Sequence, residues 1–221
     1  MAMAKTILTK TQQTLLKELF SQKIIRKYFY LSGGTALSEY YLHHRYSEDL
    51  DFFTELEFDP MDIQIVLKTL TKKLAIKKID YQQSFNRNIF YLHFGSSIVK
   101  TEFTFYPFEH IEAPKDINGV SVDSLIDIAV NKAFTIYQKP RSRDFIDLYL
   151  ILKKKEWKFT DIRKKARVKF DTPIEPLQLA QALTEVSVLK DFPRLLISLN
   201  PKEWQNFWLD QAGLLKSEVL K

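Results

Sequence analysis

Cysteine is absent from the 221-residue chain. Disulfide frameworks, thiolate zinc sites and cysteine nucleophiles are therefore excluded, and the composition is typical of a protein from a reducing compartment. No stretch approaches the roughly 18 uncharged apolar residues that a membrane-spanning helix needs, and the first ten residues hold no apolar signal-peptide core. The sequence therefore predicts a soluble, cytoplasmic protein with no membrane partner.

Glycine is scarce as well, since the chain has only 5, yet two of them are adjacent at Gly33 and Gly34. They follow a short apolar run at residues 28–31 and precede a helical pattern at residues 35–44. Glycines at such a strand-to-helix turn let a phosphate approach the backbone, and the helix N-terminus offers it unpaired N–H donors. The pattern indicates a triphosphate site, with a tight turn that binds nothing as the alternative.

Basic residues outnumber acidic ones by 33 − 27 = 6, and the isoelectric point is near 9.2. This balance suits an anionic partner such as RNA, although it is shared by many proteins without one. The 45% hydrophobic content is enough for one sizeable core or for two small lobes.

Hydrophobic periodicity divides the chain into an α/β half, residues 1–118, and a helical lobe, residues 119–221, so the predicted fold class is α+β. Strands are expected at residues 28–31 and 49–54, followed by a meander over residues 76–106. Helices are expected at residues 11–26, 35–44, 61–72, 122–138, 143–153, 161–167, 176–188 and 201–220.

An Asp-x-Asp pattern lies at the second predicted strand. Because side chains alternate along a strand, Leu50 and Phe52 would face the core while Asp49 and Asp51 share the other face, on the order of 6–7 Å apart. Magnesium is commonly held by one or two carboxylates completed by waters and substrate phosphates. Asp49 and Asp51 are therefore candidate Mg²⁺ ligands, and a solvated strand face or a helix cap is the competing interpretation.

A third carboxylate, Glu102, lies on the opposite face of its strand from Thr101 and Phe103. If this strand neighbours the Asp49 strand, Glu102 could bind metal or deprotonate an attacking hydroxyl. A cross-strand partner for Lys100 or for another base is an equally good interpretation.

Two helices of the second half carry charged residues at apolar positions. Lys132 lies within the apolar stripe of its helix, where it could extend its ammonium group to the surface or direct it into a cleft to neutralise triphosphate charge. Asp144 lies in the first turn of the next helix, where its negative charge complements the helix dipole, and this is a sufficient structural role for it. Asp147 lies beside an apolar stripe, so it could pair with Lys132 or Arg143, accept a proton or contact a base.

Taken together, these motifs resemble the nucleotidyltransferase-fold toxins of the AbiEii/AbiGii family, which includes the MenT enzymes. Residues 31–37 are similar to the family's Gly-Gly-Thr-Ala-Leu turn and residues 44–52 to its His-Arg-x-Ser-x-Asp-x-Asp signature. Lys132 resembles its helical lysine, and residues 143–149 its closing Arg-Asp-x-x-Asp-Leu-Tyr. The resemblance covers residues 31–149 and is specific as a set.

The resemblance implies a mixed-sheet nucleotidyltransferase core with a C-terminal helical lobe, Mg²⁺ dependence, and transfer of a nucleoside monophosphate from a triphosphate to an acceptor, expected to be tRNA. It also implies a cognate AbiEi-like antitoxin. One departure is Glu102, which stands where this fold usually has a third aspartate or no acid. The resemblance implies that phosphates are bound by Ser32, Gly33, Gly34 and Thr35, with Arg45 and Ser47 at the border of the site. It also implies that Asp49 and Asp51 bind the metal, that Lys132 binds the triphosphate, and that Asp147 or Asp144 completes the site.

Two other functions use the same residues. One is a kinase-like transfer of the γ-phosphoryl group, and the other is a nucleotide- or RNA-binding module without catalysis. Neither a Ser-His-Asp arrangement nor a P-loop is present, because the Gly-Gly turn lacks the following Gly-Lys-Ser/Thr.

Overall fold

The structure is a computed structural model that describes residues 6–219. The chain forms two compact units, which meet in sequence between Ser124 and Leu125. This lies six residues beyond the boundary expected at residues 118/119. Within the described residues, none of the helices combines the length and apolar character that crossing a membrane requires.

The N-terminal unit is built on one seven-stranded mixed sheet with the order β3-β4-β5-β2-β1-β7-β6. Two neighbouring pairs are parallel, β2 with β5 and β1 with β7, and the other pairs are antiparallel. The strands are β1 (Tyr30–Ser32), β2 (Leu50–Thr54), β3 (Lys78–Ser84), β4 (Arg87–Phe94), β5 (Ser97–Phe105), β6 (Lys115–Ile117) and β7 (Val120–Val122).

The helices of this unit are α1 (Lys10–Ser21), α2 (Lys23–Tyr28), α3 (Gly33–Leu37), which continues as a π-helical turn (Ser38–Leu42), and α4 (Pro60–Leu74). Helix α1 begins with a capping box, in which Thr9 and Gln12 satisfy each other's backbone N–H groups. The expected single helix over residues 11–26 is wrong, because Gln22 adopts an extended backbone (φ −79°, ψ 128°) and ends α1. Helix α4, expected at residues 61–72, begins one residue earlier, with Asp59 as the N-cap and Pro60 in the first turn.

The core of the N-terminal unit is aromatic and lies on one face of the central strands. Phe52 of β2 stacks on Phe103 of β5 with ring centroids 4.7 Å apart, and both side chains are fully buried. Phe29, Phe90 and Phe103 meet edge to face. Because side chains alternate along β2 and β5, packing these rings inward directs the polar residues between them to the opposite face.

The C-terminal unit is helical, as predicted. Its elements are α5 (Leu125–Gln138), α6 (Ser142–Lys155), α7 (Phe159–Lys169), α8 (Pro176–Thr184) with a 3₁₀ turn (Glu185–Ser187), α9 (Pro201–Leu214) and α10 (Lys216–Val219). Trp208 anchors its core: the indole N–H donates to the carbonyl of Phe145 at 3.1 Å, and the ring meets Phe145, Phe159 and Phe207. A buried tryptophan with a satisfied N–H adds apolar area without an unpaired donor.

Several predicted boundaries differ from the structure. The helix expected at residues 122–138 begins three residues later, because residues 120–122 form β7. The helix expected over residues 201–220 breaks after Leu214, and its last residue lies outside the described range.

Candidate active site

The Gly-Gly turn lies where β1 passes into α3, as its sequence context predicts. Gly33 has φ of +71°, and a Cβ there would lie 2.7 Å from Oδ2 of Asp51. A Cβ on Gly34 would collide with the guanidinium group of Arg45 and would lie 3.1 Å from Oγ of Ser47. The absence of side chains at both glycines lets the carboxylate of Asp51 and the guanidinium group of Arg45 lie directly against the backbone of the turn.

The Asp-x-Asp pattern has the predicted alternation. Leu50 and Phe52 are fully buried in the core, whereas Asp51 is partly exposed on the other face and Asp49 immediately precedes the strand. Asp51 pairs in register with Ser32 of β1 on one side and with Glu102 of β5 on the other. The glycine turn, the aspartate pair and the third carboxylate consequently meet on three adjacent strands of one unit.

Asp49 is held by two neighbours. Its side-chain Oδ2 accepts a hydrogen bond from Nζ of Lys100 at 2.7 Å, and its backbone carbonyl accepts one from the hydroxyl of Thr35. The threonine of the glycine motif therefore ties α3 to the start of β2. A contact of Thr35 with phosphate stays a prediction.

Glu102 is engaged by an arginine that the sequence reasoning did not select. Nε and Nη2 of Arg87 each donate to one carboxylate oxygen of Glu102 at 2.6 Å, and the hydroxyl of Thr104 donates at 3.1 Å. Burial by itself raises the pKa of Glu102, but the hydrogen bonds and charge of Arg87 outweigh it and lower the pKa below its ordinary value. Glu102 is thus the ionised, buried member of an ion pair with the half-exposed Arg87, which corresponds to the second interpretation of Glu102.

Lys100 lies between two of the carboxylates. Its Nζ is 2.7 Å from Asp49 and 3.9 Å from Glu102. Burial lowers the pKa of Lys100, yet the hydrogen bond to Asp49 and the charges of Asp49, Asp51 and Glu102 together raise it above its ordinary value. Lys100 therefore carries a positive charge at neutral pH and is unsuited to act as a base.

Arg45 and Ser47 line the turn from the loop that precedes β2. Arg45 is 4% exposed, and its Nη1 donates to the carbonyl of Tyr46 at 2.9 Å. A buried guanidinium group keeps its charge, so it places a fixed positive charge beside Gly34. The resemblance implies that Arg45 borders the nucleotide site, and a contact of Arg45 with phosphate stays a prediction.

Ser32 makes a contact that the sequence reasoning missed. Its hydroxyl donates to Oδ2 of Asp123 at 2.6 Å, and Asp123 is fully buried. Nδ1 of His110 lies 3.6 Å from Oδ1 of the same aspartate. The available signal was the alternation Val120-Ser121-Val122 before Asp123, which marks a short strand ending at a polar residue.

In the helical unit, Lys132 is bound by two aspartates of α6. Its Nζ lies 2.6 Å from Asp144 and 2.7 Å from Asp147, and Arg141 pairs with Asp144 at 2.8 Å. The two aspartates are 1% and 0% exposed in their side chains. The pairing of Asp147 with Lys132 was one of the predicted alternatives. Contact of these residues with a triphosphate stays a prediction.

The donor set of the N-terminal unit fits a magnesium ion. Asp49 and Asp51 offer hard carboxylate oxygens at alternate positions at the start of β2, and the absent side chain at Gly33 lets Oδ2 of Asp51 lie against the glycine turn. Glu102 fits less well than predicted, because Arg87 and Thr104 already bind its oxygens.

This mixed sheet, with a glycine turn against an Asp-x-Asp strand, is the architecture of a nucleotidyltransferase. A family model described as "Nucleotidyl transferase AbiEii toxin, Type IV TA system" matches residues 14–218, and the chain belongs to this family. It is therefore an enzyme of the nucleotidyltransferase class from a toxin–antitoxin system.

The chain is also similar to one curated protein and to solved structures. The chain is 33% identical over 165 residues to the uncharacterized protein aq_aa25 of Aquifex aeolicus (strain VF5), covering 74% of this chain and 76% of that protein. A crystal structure from H. pylori described as a candidate nucleotidyltransferase superposes with a TM-score of 0.63 at 16% identity, covering 95% of this chain and 93% of that one. The crystal structure of JHP933 from Helicobacter pylori superposes with a TM-score of 0.59 at 18% identity, covering 95% of this chain and 90% of that one. At these identities the two structures support the fold alone.

Proposed function

We propose that this chain is the Mg²⁺-dependent toxin of a toxin–antitoxin pair and transfers a nucleoside monophosphate from a nucleoside triphosphate to tRNA. The observation that carries the proposal is the contact of the Gly33 turn with Asp51, beside Asp49 on the same sheet face. A triphosphate placed along that turn would lie close to both the two carboxylates and the guanidinium group of Arg45.

The reaction is an in-line attack of an acceptor hydroxyl on the α-phosphorus. The new oxygen–phosphorus bond forms as the bond to pyrophosphate breaks, and the hydroxyl proton passes to water. A magnesium ion, when bound by Asp49 and Asp51, supplies charge that stabilises the transferring phosphoryl group. The chain contributes mainly by positioning: Gly33 admits the phosphates, and Arg45 adds a buried positive charge beside the turn.

The acceptor assignment rests on family resemblance and on charge. The net charge of +6 favours an anionic acceptor, and RNA attracts such a surface through its phosphates. The family relationship also supports a cognate antitoxin, for which an AbiEi-like protein is the candidate. Neighbouring genes and co-expression rescue of growth test that part directly.

The test uses the full chain with Mg²⁺, total RNA and each of the four α-labelled triphosphates in turn. We expect one triphosphate to label the tRNA band. Asp49→Asn and Asp51→Asn should each reduce labelling by at least about 10²-fold, because each removes a charged metal ligand. Asp62→Asn, at an exposed position in the first turn of α4, is the matched control and should label as the wild type does.

Other outcomes separate the alternatives. Label transferred only from γ-labelled triphosphate would identify a kinase-like enzyme. Mg²⁺-dependent nucleotide binding without any labelled product would identify a binding module. Full activity of both aspartate variants would reject the metal assignment.

A further inference from the structure

We propose that the active site binds a single divalent cation, and that the ammonium group of Lys100 takes the place of a second one. The inference rests on the proposed function and specifies how its carboxylates are used. It makes Lys100 a positioning residue, which holds Asp49 and supplies fixed positive charge beside the reaction.

The first argument is the location of the ammonium group. β2 and β5 are parallel neighbours with Leu50 opposite Thr101, which brings Asp49 and Lys100 side by side at the next step of the ladder. Nζ of Lys100 lies 2.7 Å from Asp49 and 3.9 Å from Glu102. Two-metal sites place their ions about 3.5–4 Å apart and share carboxylates between them. A second ion held by Asp49 and Glu102 would need the space that Nζ occupies.

The second argument is that Glu102 has little capacity left for a metal. Each of its oxygens accepts a 2.6 Å hydrogen bond from Arg87, and Oε1 accepts another from Thr104. A bidentate arginine–carboxylate pair is a strong, directional interaction, more so when the carboxylate is only 5% exposed. Binding a metal through Glu102 would require breaking at least one of these contacts.

The third argument is the charge balance. On strands β2, β4 and β5, three carboxylates, Asp49, Asp51 and Glu102, face two cations, Lys100 and Arg87, so these five residues carry 2 − 3 = −1, and Arg45 beside the glycine turn adds further positive charge. One divalent ion changes this to +1, which attracts a triphosphate. A second divalent ion would raise the charge of these residues to +3 in a half-buried cluster, and repulsion from Lys100 opposes the binding of that second ion.

The test counts bound Mn²⁺ by electron paramagnetic resonance, with an equimolar mixture of the four α,β-methylene nucleoside triphosphates. We expect one Mn²⁺ per wild-type chain. Lys100→Met should raise the count to two, because Asp49 and Glu102 lose the cation between them. Lys100→Arg, which keeps the charge, should stay at one. Lys78→Met is the matched control, because Lys78 also pairs with an aspartate of the same sheet, Asp80 at 2.8 Å, but is 65% exposed.

Two Mn²⁺ ions per wild-type chain would overturn the inference, even if Lys100→Met failed to fold. A count of one in folded Lys100→Met would overturn it as well. A failure of the proposed function would give a different result, because the wild-type chain would then bind no Mn²⁺ in the presence of nucleotide and would label no RNA. A chain that labels RNA while binding two ions would refute only the role of Lys100.

Discussion

Replacing Gly33 with alanine tests the contact between the glycine turn and Asp51. An added Cβ would lie 2.7 Å from Oδ2 of Asp51, whereas ordinary van der Waals contact begins at 3.4 Å. The carboxylate must therefore withdraw by 3.4 − 2.7 = 0.7 Å or rotate away. The substitution displaces the carboxylate of Asp51, a proposed metal ligand, without removing it.

Two effects of different size follow. The φ of +71° costs an alanine about 1–2 kcal/mol relative to glycine, which should lower Tm by roughly 2–8 °C for a chain of this size. Displacing a catalytic group by close to 1 Å can reduce the rate by about 10²-fold. We expect Gly33→Ala to remain folded and to lose RNA labelling by roughly 10- to 100-fold.

The control variant Gly119→Ala distinguishes the effect of backbone strain from the effect of the contact with Asp51. Gly119 has φ of +83°, so alanine there carries a similar backbone penalty, but nothing lies within 4 Å of its Cβ. Thermal unfolding and the α-label assay should show similar losses of Tm in both variants and a loss of transfer only in Gly33→Ala. Wild-type transfer by Gly33→Ala would refute the reasoning, as would an equal loss of transfer in Gly119→Ala.

Two further predictions concern stability. In urea unfolding, Lys132→Met should lower the free energy of unfolding by about 3 kcal/mol, because it leaves buried Asp144 and Asp147 without that cation. The control Lys139→Met, at an exposed position, should change the free energy of unfolding little. Equal stabilities of the two variants would contradict the buried pairing. Burial and, to a smaller extent, the charge of Glu39 raise the pKa of Tyr40 from near 10 in the unfolded chain to about 12 in the folded one. Tyr40 therefore contributes stability that is fully present below pH 10 and is lost as the pH rises through 12. Between pH 9 and 11 the wild type should lose about 1 kcal/mol more than Tyr40→Phe, and parallel losses would show that Tyr40 is not responsible.

The Lys132 prediction also affects how its variants are interpreted. A lysine that neutralises two buried aspartates contributes to the stability of the fold, whatever its role toward a triphosphate. Loss of transfer in a Lys132 variant is therefore informative only at a temperature where the variant is shown to be folded.

Long periodic segments were predicted well. The meander at residues 76–106 forms β3, β4 and β5, and α4 and α6 begin within one residue of their predicted starts. The seven-stranded sheet was not foreseen in full, because β6 and β7 have three residues each and depend on pairing. Val122 pairs with Lys115 of the neighbouring strand β6 and also with Leu31, which lies 91 residues earlier and joins this hairpin to the main sheet. Local patterns carry no information about such a partner.

The glycine turn and the Asp-x-Asp alternation were determined by the sequence alone. Both are local: φ above zero favours glycine at one position, and a strand separates alternate side chains whatever its neighbours. The tertiary structure decided which charges meet. Arg87 binds Glu102 because β4 and β5 pair in that register, and Lys100 reaches Asp49 because β5 runs parallel to β2. Ion pairs between strands far apart in sequence depend on register, which is set by packing of the whole sheet.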